Sequence, residues 1–423
     1  MLPARDNEIL TRVAAGTPMG DLLRRYWHPV AASAQMKDTP VMEVRVLGED
    51  MVLYRDGSGT LGLIDRYCAH RRVNLAYGIP EKNGLRCMYH GWLYDETGQC
   101  IEQPFEETVR PEARFKDKIK MAGYPVQELG GLIWAYLGPD PAPLLPRWDL
   151  LVEPNVFREV ASSFIPCNWL QTMENAMDGS HLEHLHWTYG KYVLERMGVP
   201  PEEAANRVRG FSRKHIKLGF DVFDHGIVKR RVLEGGSEEE EDWQVGHPMV
   251  FPNTMRMGNA SRSEFQIRVP VDDENTVQWY VLVHRPGIDV PPQEQTPYFE
   301  VPMFDDEGGY IIDFATGQDM MTWVTQGSIL DRSKESLGES DRGIILYRRL
   351  LMEQMAINED GGDPMNVIRD PAGNSYIELP QERNKYHIGD AYRRLLQGSW
   401  SRYSPNREVV AELYMQGAAE RGA

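Results

Sequence analysis

Residues 67–100, YCAHRRVNLAYGIPEKNGLRCMYHGWLYDETGQC, constrain the fold more than any other stretch of this 423-residue chain. They carry Cys68-Ala-His70 and Cys87-Met-Tyr-His90, with sixteen residues between the two motifs. Two thiols and two imidazoles on two tight turns form a set of soft and borderline metal donors. A centre of this kind pins two loops together, so the segments around it must be short and paired. Residues 41–64 alternate apolar and polar in three short runs, broken at Gly48-Glu49-Asp50 and at Asp56–Gly59, the pattern of half-buried strands joined by turns. Asn83-Gly84 and Asp95–Gly98 are further hairpin signals, and residues 124–138 read as two more strands. Residues 41–140 are therefore expected to form a small all-β domain. Residues 1–40 read as an N-terminal helical segment with Ile9, Leu10 and Val13 on one face.

The bland occupant of the four donors is structural zinc. Zinc fingers pair Cys with Cys and His with His, whereas each turn here mixes one of each. The mixed set fits a [2Fe-2S] cluster with thiolates on one iron and imidazoles on the other, an arrangement that raises the reduction potential to about −150 to +300 mV. With Arg71 after the first His and Gly91-Trp92 after the second, these residues resemble the Rieske fingerprint. The resemblance implies that Cys68, His70, Cys87 and His90 bind the cluster. Such a cluster only carries electrons, so the rest of the chain must spend them. The other cysteines, Cys100 and Cys167, read as buried thiols; four cysteines are too few for a disulfide framework.

Gly138–Asp149, with four prolines, marks the boundary to a larger domain over 141–423. That domain reads as a helical stretch near 168–190, a β-rich middle and a mostly helical end from about 318, with Ser340 capping a helix. The class is α+β, an antiparallel sheet surrounded by helices. Within NWLQTMENAMDGSHLEHLHW (168–187) stand Asp178, His181, His184 and His186. On an ideal helix His181 and His184 share a face, while His186, five positions from His181, turns away. Periodicity alone selects His181 and His184, and it leaves open whether they bind a metal or pack as a core cluster. The order HLEHLH is not the H-E-x-x-H of zinc proteases.

Asp-x2-His-x4-His preceded by Glu174-Asn175 resembles the mononuclear iron motif of the Rieske non-haem iron aromatic oxygenases, and the likeness extends over essentially the whole chain, including 246–253 and 317–344. It implies Fe(II) held by His181 and His186 on a distorted or broken helix, with His184 left to support the ligands from behind or to pack. Asp319 supplies the carboxylate, Asp313 and Asp331 being the competing acids. Asp178 becomes the electron-transfer bridge, with Asn175 beside it in the catalytic machinery. The family also implies O2 as co-substrate and a head-to-tail homotrimer, single or stacked. The glycine clusters at 130–132 and 359–364 lack the G-x-G-x-x-G spacing of a dinucleotide site. Electrons are therefore expected from a separate NAD(P)H-dependent reductase, with or without a ferredoxin. A Rieske electron carrier with a docking domain, and a zinc hydrolase, are the competing readings.

An aromatic carboxylate substrate requires a cation in an apolar pocket, and the Arg fork matches a carboxylate. Arg256 is the first candidate, followed by Arg207 and Arg231, although a structural role is the commoner fate of any one arginine. Within the family the C-terminal half is similar to the phthalate dioxygenase subgroup, which also holds O-demethylases of lignin-derived aromatics. The expected reaction is O-demethylation of a methoxylated aromatic carboxylate, such as the biaryl 5,5'-dehydrodivanillate; phthalate-type ring dihydroxylation is the alternative. A net charge of −17 argues against nucleic acid. No apolar run approaches the roughly 20 residues that span a bilayer, and the N-terminus lacks a signal-peptide pattern, so a cytoplasmic location is expected.

Overall fold

The computed structural model describes residues 2–382 and 399–422. A first helix, Ala4–Thr11, buries Leu10, and Val13 follows it into the core. The segment before residue 40 is not helical throughout, because Trp27–Ala32 is a strand paired antiparallel with Leu132–Tyr136. Pro29 conceals that strand in the sequence. It cannot donate to a ladder, and it sits where the register shifts between Pro29 and Ala31.

The expected hairpins are present. Val41–Val46, Glu49–Arg55 and Leu61–Asp65 form a meander extended by Gly123–Tyr124. Ile79–Glu81, Gly84–Arg86, Leu93–Tyr94 and Cys100–Glu102 form a second four-stranded sheet. Val126–Leu129 returns as Leu132–Tyr136 through Gly130-Gly131, both at positive φ, +65° and +87°, the backbone of a tight hairpin turn. A third glycine cluster, Gly57–Gly62, does spell G-x-G-x-x-G, but it is the turn between Glu49–Arg55 and Leu61–Asp65. No helix follows it, so it cannot form a dinucleotide cradle.

The second half is built on an eight-stranded sheet ordered His215–Phe223, Gly226–Leu233, His247–Val250, Thr254–Gly258, Arg262–Pro270, Thr276–His284, Phe157–Ile165 and Tyr298–Glu300. Every pairing is antiparallel except the last. On Arg262–Pro270 one face presents Phe265, Ile267 and Val269 to the main core. The other presents Glu264, Gln266 and Arg268, all buried, on the side where Met320 and Trp323 of the helix Ala315–Thr325 pack over Tyr280 and Leu282. The architecture is α+β. The late helix runs Arg342–Glu359 with Asp341, one residue after Ser340, in the N-cap position. From 360 to 382 the described chain holds a single turn of 3-10 helix, Pro371–Gly373, where a mostly helical end was expected; residues 383–398 of that end lie outside the described residues. A last helix covers Arg407–Gly422. Among the described residues no helix is long and apolar enough to cross a membrane.

Residues 2–12 are tied to segments of the second half far along the chain. Leu2 N–H donates to Arg332 O at 3.1 Å, Asn7 Nδ2 to Leu330 O at 3.0 Å, and Arg332 Nη1 to Asn7 Oδ1 at 2.9 Å. Asn168 Nδ2 donates to Thr11 O at 3.0 Å, and Arg12 pairs with Asp273 at 3.0 Å.

Candidate functional site

The two Cys/His turns are built alike. Cys68 O accepts from Arg72 N–H at 2.9 Å and Cys87 O from Gly91 N–H at 3.0 Å. The closing residue of each turn is left-handed, Arg72 at φ +57° and Gly91 at φ +77°. Gly91 also lies under Pro104, whose Cγ would stand 3.2 Å from an added Cβ. Both cysteines are buried and both histidines exposed. The imidazole rings meet at 4.5 Å between centroids, and His70 stacks on Trp92 at the same distance. Cys68 Sγ lies 3.2 Å from the Tyr94 hydroxyl. The Cys87 thiol, with Tyr94 and backbone N–H groups, holds the Cys68 thiol down at about 5 against the pull of burial. Cys87 is driven upward, because its neighbour ionises first and because it is itself buried. The donor set therefore fits a [2Fe-2S] cluster with its thiolates in the interior and its imidazoles at the surface.

The second constellation forms where a helix changes pitch. Trp169–Met177 starts at Asn168, whose side chain accepts from Leu170 N–H, and ends at Asp178, which is extended. The chain then winds through Leu182–Tyr189 as a π-helix. Its wider turn, closed by i→i+5 bonds, brings residues five apart to one side, and His181 and His186 face each other at 5.2 Å between ring centroids. His184 points to solvent, so the pair selected by ideal periodicity is not the pair that meets. Asp319, on Ala315–Thr325, completes the group. One ligand atom from each of the three residues lies within 4.8 Å of the others, with Asp319 Oδ1 at 3.7 Å from His181 Nε2 and 3.4 Å from His186 Nε2.

The outer nitrogens of both rings are held. His181 Nδ1 lies 3.2 Å from Asp178 Oδ2, and His186 Nδ1 lies 3.0 Å from Gln318 Oε1. Gln318 is itself anchored by donating to Ile312 O at 3.0 Å. Asn175 Nδ2 donates to Asp319 Oδ1 at 3.4 Å. Burial pushes the Asp178 carboxyl upward, but His181, Ser180 N–H and the charge of Lys229 together bring it well below the usual range. Lys229 is fixed there by donating to Ala176 O and Asp178 O at 2.9 and 2.7 Å. Burial likewise raises Asp319, and His186, His181 and Arg268 outweigh it. Two imidazoles and a carboxylate converging on one point, each imidazole oriented by an outer partner, fit a divalent iron with open positions.

Comparison with known proteins agrees with this geometry. The Rieske [2Fe-2S] domain family covers residues 26–115, and a LigXa C-terminal-domain-like family covers 306–377. The chain is 43% identical to the 5,5'-dehydrodivanillate O-demethylase oxygenase subunit of Sphingobium sp. (strain NBRC 103272 / SYK-6), over 90% of this chain and 87% of that one. It is 31% identical to the phthalate 4,5-dioxygenase oxygenase subunit of Pseudomonas putida, over 85% and 88%. The chain belongs to the Rieske non-haem iron aromatic oxygenases. The fold agrees with solved structures as well: Pseudomonas putida CBB5 NdmA superposes with a TM-score of 0.59 at 20% identity, over 85% of this chain and 94% of that one.

In this oxygenase the arginines expected at the substrate have other partners. Arg256 is buried and paired with Asp149 at 2.7 Å. Arg231 is paired with Asp242 at 2.9 Å, and Arg207 is an exposed residue bound to Glu203, one turn away on its own helix. Each guanidinium is neutralised by a carboxylate of the chain, so none of the three presents an unpaired charge. The competing acids fall away in the same manner. Asp313 makes a two-pronged pair with Arg402, and Asp331 is a surface residue bound to Lys334. Gln318 was missed in the sequence, because a lone amide carries no motif; its place directly before Asp319 was the available signal.

Proposed function

We propose that this oxygenase removes the methyl group from a methoxylated aromatic carboxylate, a lignin-derived biaryl of the 5,5'-dehydrodivanillate type. The observation that carries the reading is the convergence of His181, His186 and Asp319 in a chain 43% identical to a 5,5'-dehydrodivanillate O-demethylase oxygenase subunit. When bound, the mononuclear iron supplies O2 activation and the [2Fe-2S] cluster supplies electrons one at a time. The chain's own residues position the reactants. Asp178 and Gln318 accept from the outer N–H of His181 and His186, fixing both rings so that Nε2 faces Asp319. Asn175 holds the near oxygen of Asp319. In balance, O2 with an electron pair and two protons turns an aryl methyl ether into a phenol, formaldehyde and water.

Electrons come from a separate NAD(P)H-dependent reductase, with or without a ferredoxin. The subunits assemble as a head-to-tail trimer, single or stacked, a ring that a heterologous interface can close. The exposed imidazoles of His70 and His90 support this reading, since they are the part of the cluster site that a neighbour's Asp178 can approach. The test is a single turnover of reduced protein with O2 and a methoxylated aromatic acid. Formaldehyde in step with a new phenol is expected. A diol from a phthalate-like acid, without formaldehyde, moves the assignment to ring dihydroxylation, the reading that the phthalate 4,5-dioxygenase relative favours.

A further inference from the structure

Seven arginines are buried among the described residues: Arg24, Arg25, Arg231, Arg256, Arg268, Arg332 and Arg348. Six have a carboxylate oxygen within 2.9 Å. Arg268, which is 0% exposed, forms no ion pair. Its Nη1 donates to Gln266 O at 3.0 Å and its Nη2 to Gln266 Oε1 at 2.8 Å, while Nε has no partner. Gln266 passes the connection to Glu264 at 2.7 Å, but that carboxylate is already matched by Arg262 at 3.1 Å. A buried charge without a counter-ion is costly, and burial pushes this guanidinium down to about 10.

The surroundings are unusual for a sheet interior. Arg268 stands in register with Gln278, and Gln278 with Ser163, a polar row across three neighbouring strands that is buried throughout. The opposite face of the same strands carries Ile267, Val269 and Val281. Two further buried polar atoms here lack partners, Trp323 Nε1 and Gln278 Oε1. The Arg268 guanidinium lies 5.9 Å from the centre of the Trp323 ring. Trp323 is four residues after Asp319 on one helix, hence on the same side as the metal-binding carboxylate. A divalent ion at His181, His186 and Asp319 claims the charge of Asp319 and leaves Arg268 beside a net positive centre.

We infer that Arg268, with the indole N–H of Trp323 as second donor, binds the carboxylate of an aromatic acid substrate beside the mononuclear iron site. A planar carboxylate matches the guanidinium fork, and Gln278 Oε1 is placed to accept from a hydroxyl on the same molecule. The identity of the ligand as an aromatic acid rests on the oxygenase reading above; the anion site rests on the geometry.

The test uses the whole metal-loaded protein under anaerobic conditions, titrated calorimetrically with 3-methoxybenzoate and with its methyl ester. The wild-type protein is expected to prefer the acid at least about tenfold. Arg268→Gln loses roughly 10- to 100-fold in acid affinity, the range for a hydrogen bond to a charged group, and leaves ester affinity unchanged. Trp323→Phe gives a smaller loss of the same selectivity. Equal binding of acid and ester by the wild type, no binding of the acid, or parallel losses for both ligands in Arg268→Gln overturns the inference. A wild-type urea midpoint followed by far-UV circular dichroism, together with an undiminished iron content of about three per chain, verifies that the catalytic half of each variant is folded. Should Arg268→Gln not fold, Arg268→Lys keeps the charge without the fork, and an unaltered acid preference in it overturns the inference. Turnover separates the two readings: acid binding through Arg268 without formaldehyde removes the demethylase assignment and leaves the anion site intact.

Discussion

Asp319 has three tasks at one position: it faces two imidazoles, accepts from Asn175 and stands one turn from Trp323. Asp319→Asn keeps the shape and removes the anionic donor, so the variant is expected to fall from about three irons per chain to about two while the cluster's visible absorption persists; iron assay and spectrum together check this. His28 illustrates a different residue-scale effect. It is buried with Nε2 2.8 Å from Leu23 O, and burial lowers it to about 4. The unfolded chain takes up that proton near pH 6.5, so this group's contribution to stability is lost as pH falls from about 6.5 towards 4. Between pH 7 and 5 the loss amounts to about 2 kcal/mol, and His28→Gln should show a shallower decline by that amount in urea melts. At this scale the sequence was legible where spacing encodes chemistry, as in Cys68-x-His70. It was not legible for the arginines, since the partner of Arg256 is Asp149, 107 positions away, and nothing local announces it.

Hairpins were legible as elements because their turns require particular residues, such as Gly130 and Gly131 at positive φ. The π-helix Leu182–Tyr189 was not, since 3.6-residue periodicity assumes the pitch that this segment abandons; only the family likeness pointed to a distortion. Trp27–Ala32 was obscured by Pro29 in the same sense, a local exception tolerated at a bulge. The helix Trp169–Met177 is held by a buried clamp: Glu174 accepts from Arg332 at 2.7 Å and from Arg348 at 2.6 Å, and Arg348 reaches on to Glu335 at 2.8 Å. Burial raises the Glu174 carboxyl, but the two guanidinium groups bring it below its usual range. Glu174→Gln leaves Arg332 without its charged partner in the interior, a change expected to cost about 3–5 kcal/mol. Denaturant melts of the variant check this, with the midpoint falling and the slope unchanged.

At the scale of the molecule, the N-terminal sheets are complete by residue 136, whereas the mononuclear site draws on residues from 175 to 319 and its clamp on 332 and 348. Leu2 and Asn7 bond to Leu330 and Arg332, separations of 323 and 325 positions in the case of Asn7. A ribosome delivers these pieces in order, at about 5–20 residues per second. The Rieske turns therefore emerge many seconds before Asp319 exists, while Ala4–Thr11 waits for its seat. Chains stalled near residue 300 should already be brown-red with cluster yet bind no further iron, which absorption and metal assay of the stalled product can read. The direction of protein synthesis thus completes the four Cys and His donors of the first turns well before Asp319 can join His181 and His186, so the two sites become available in that order.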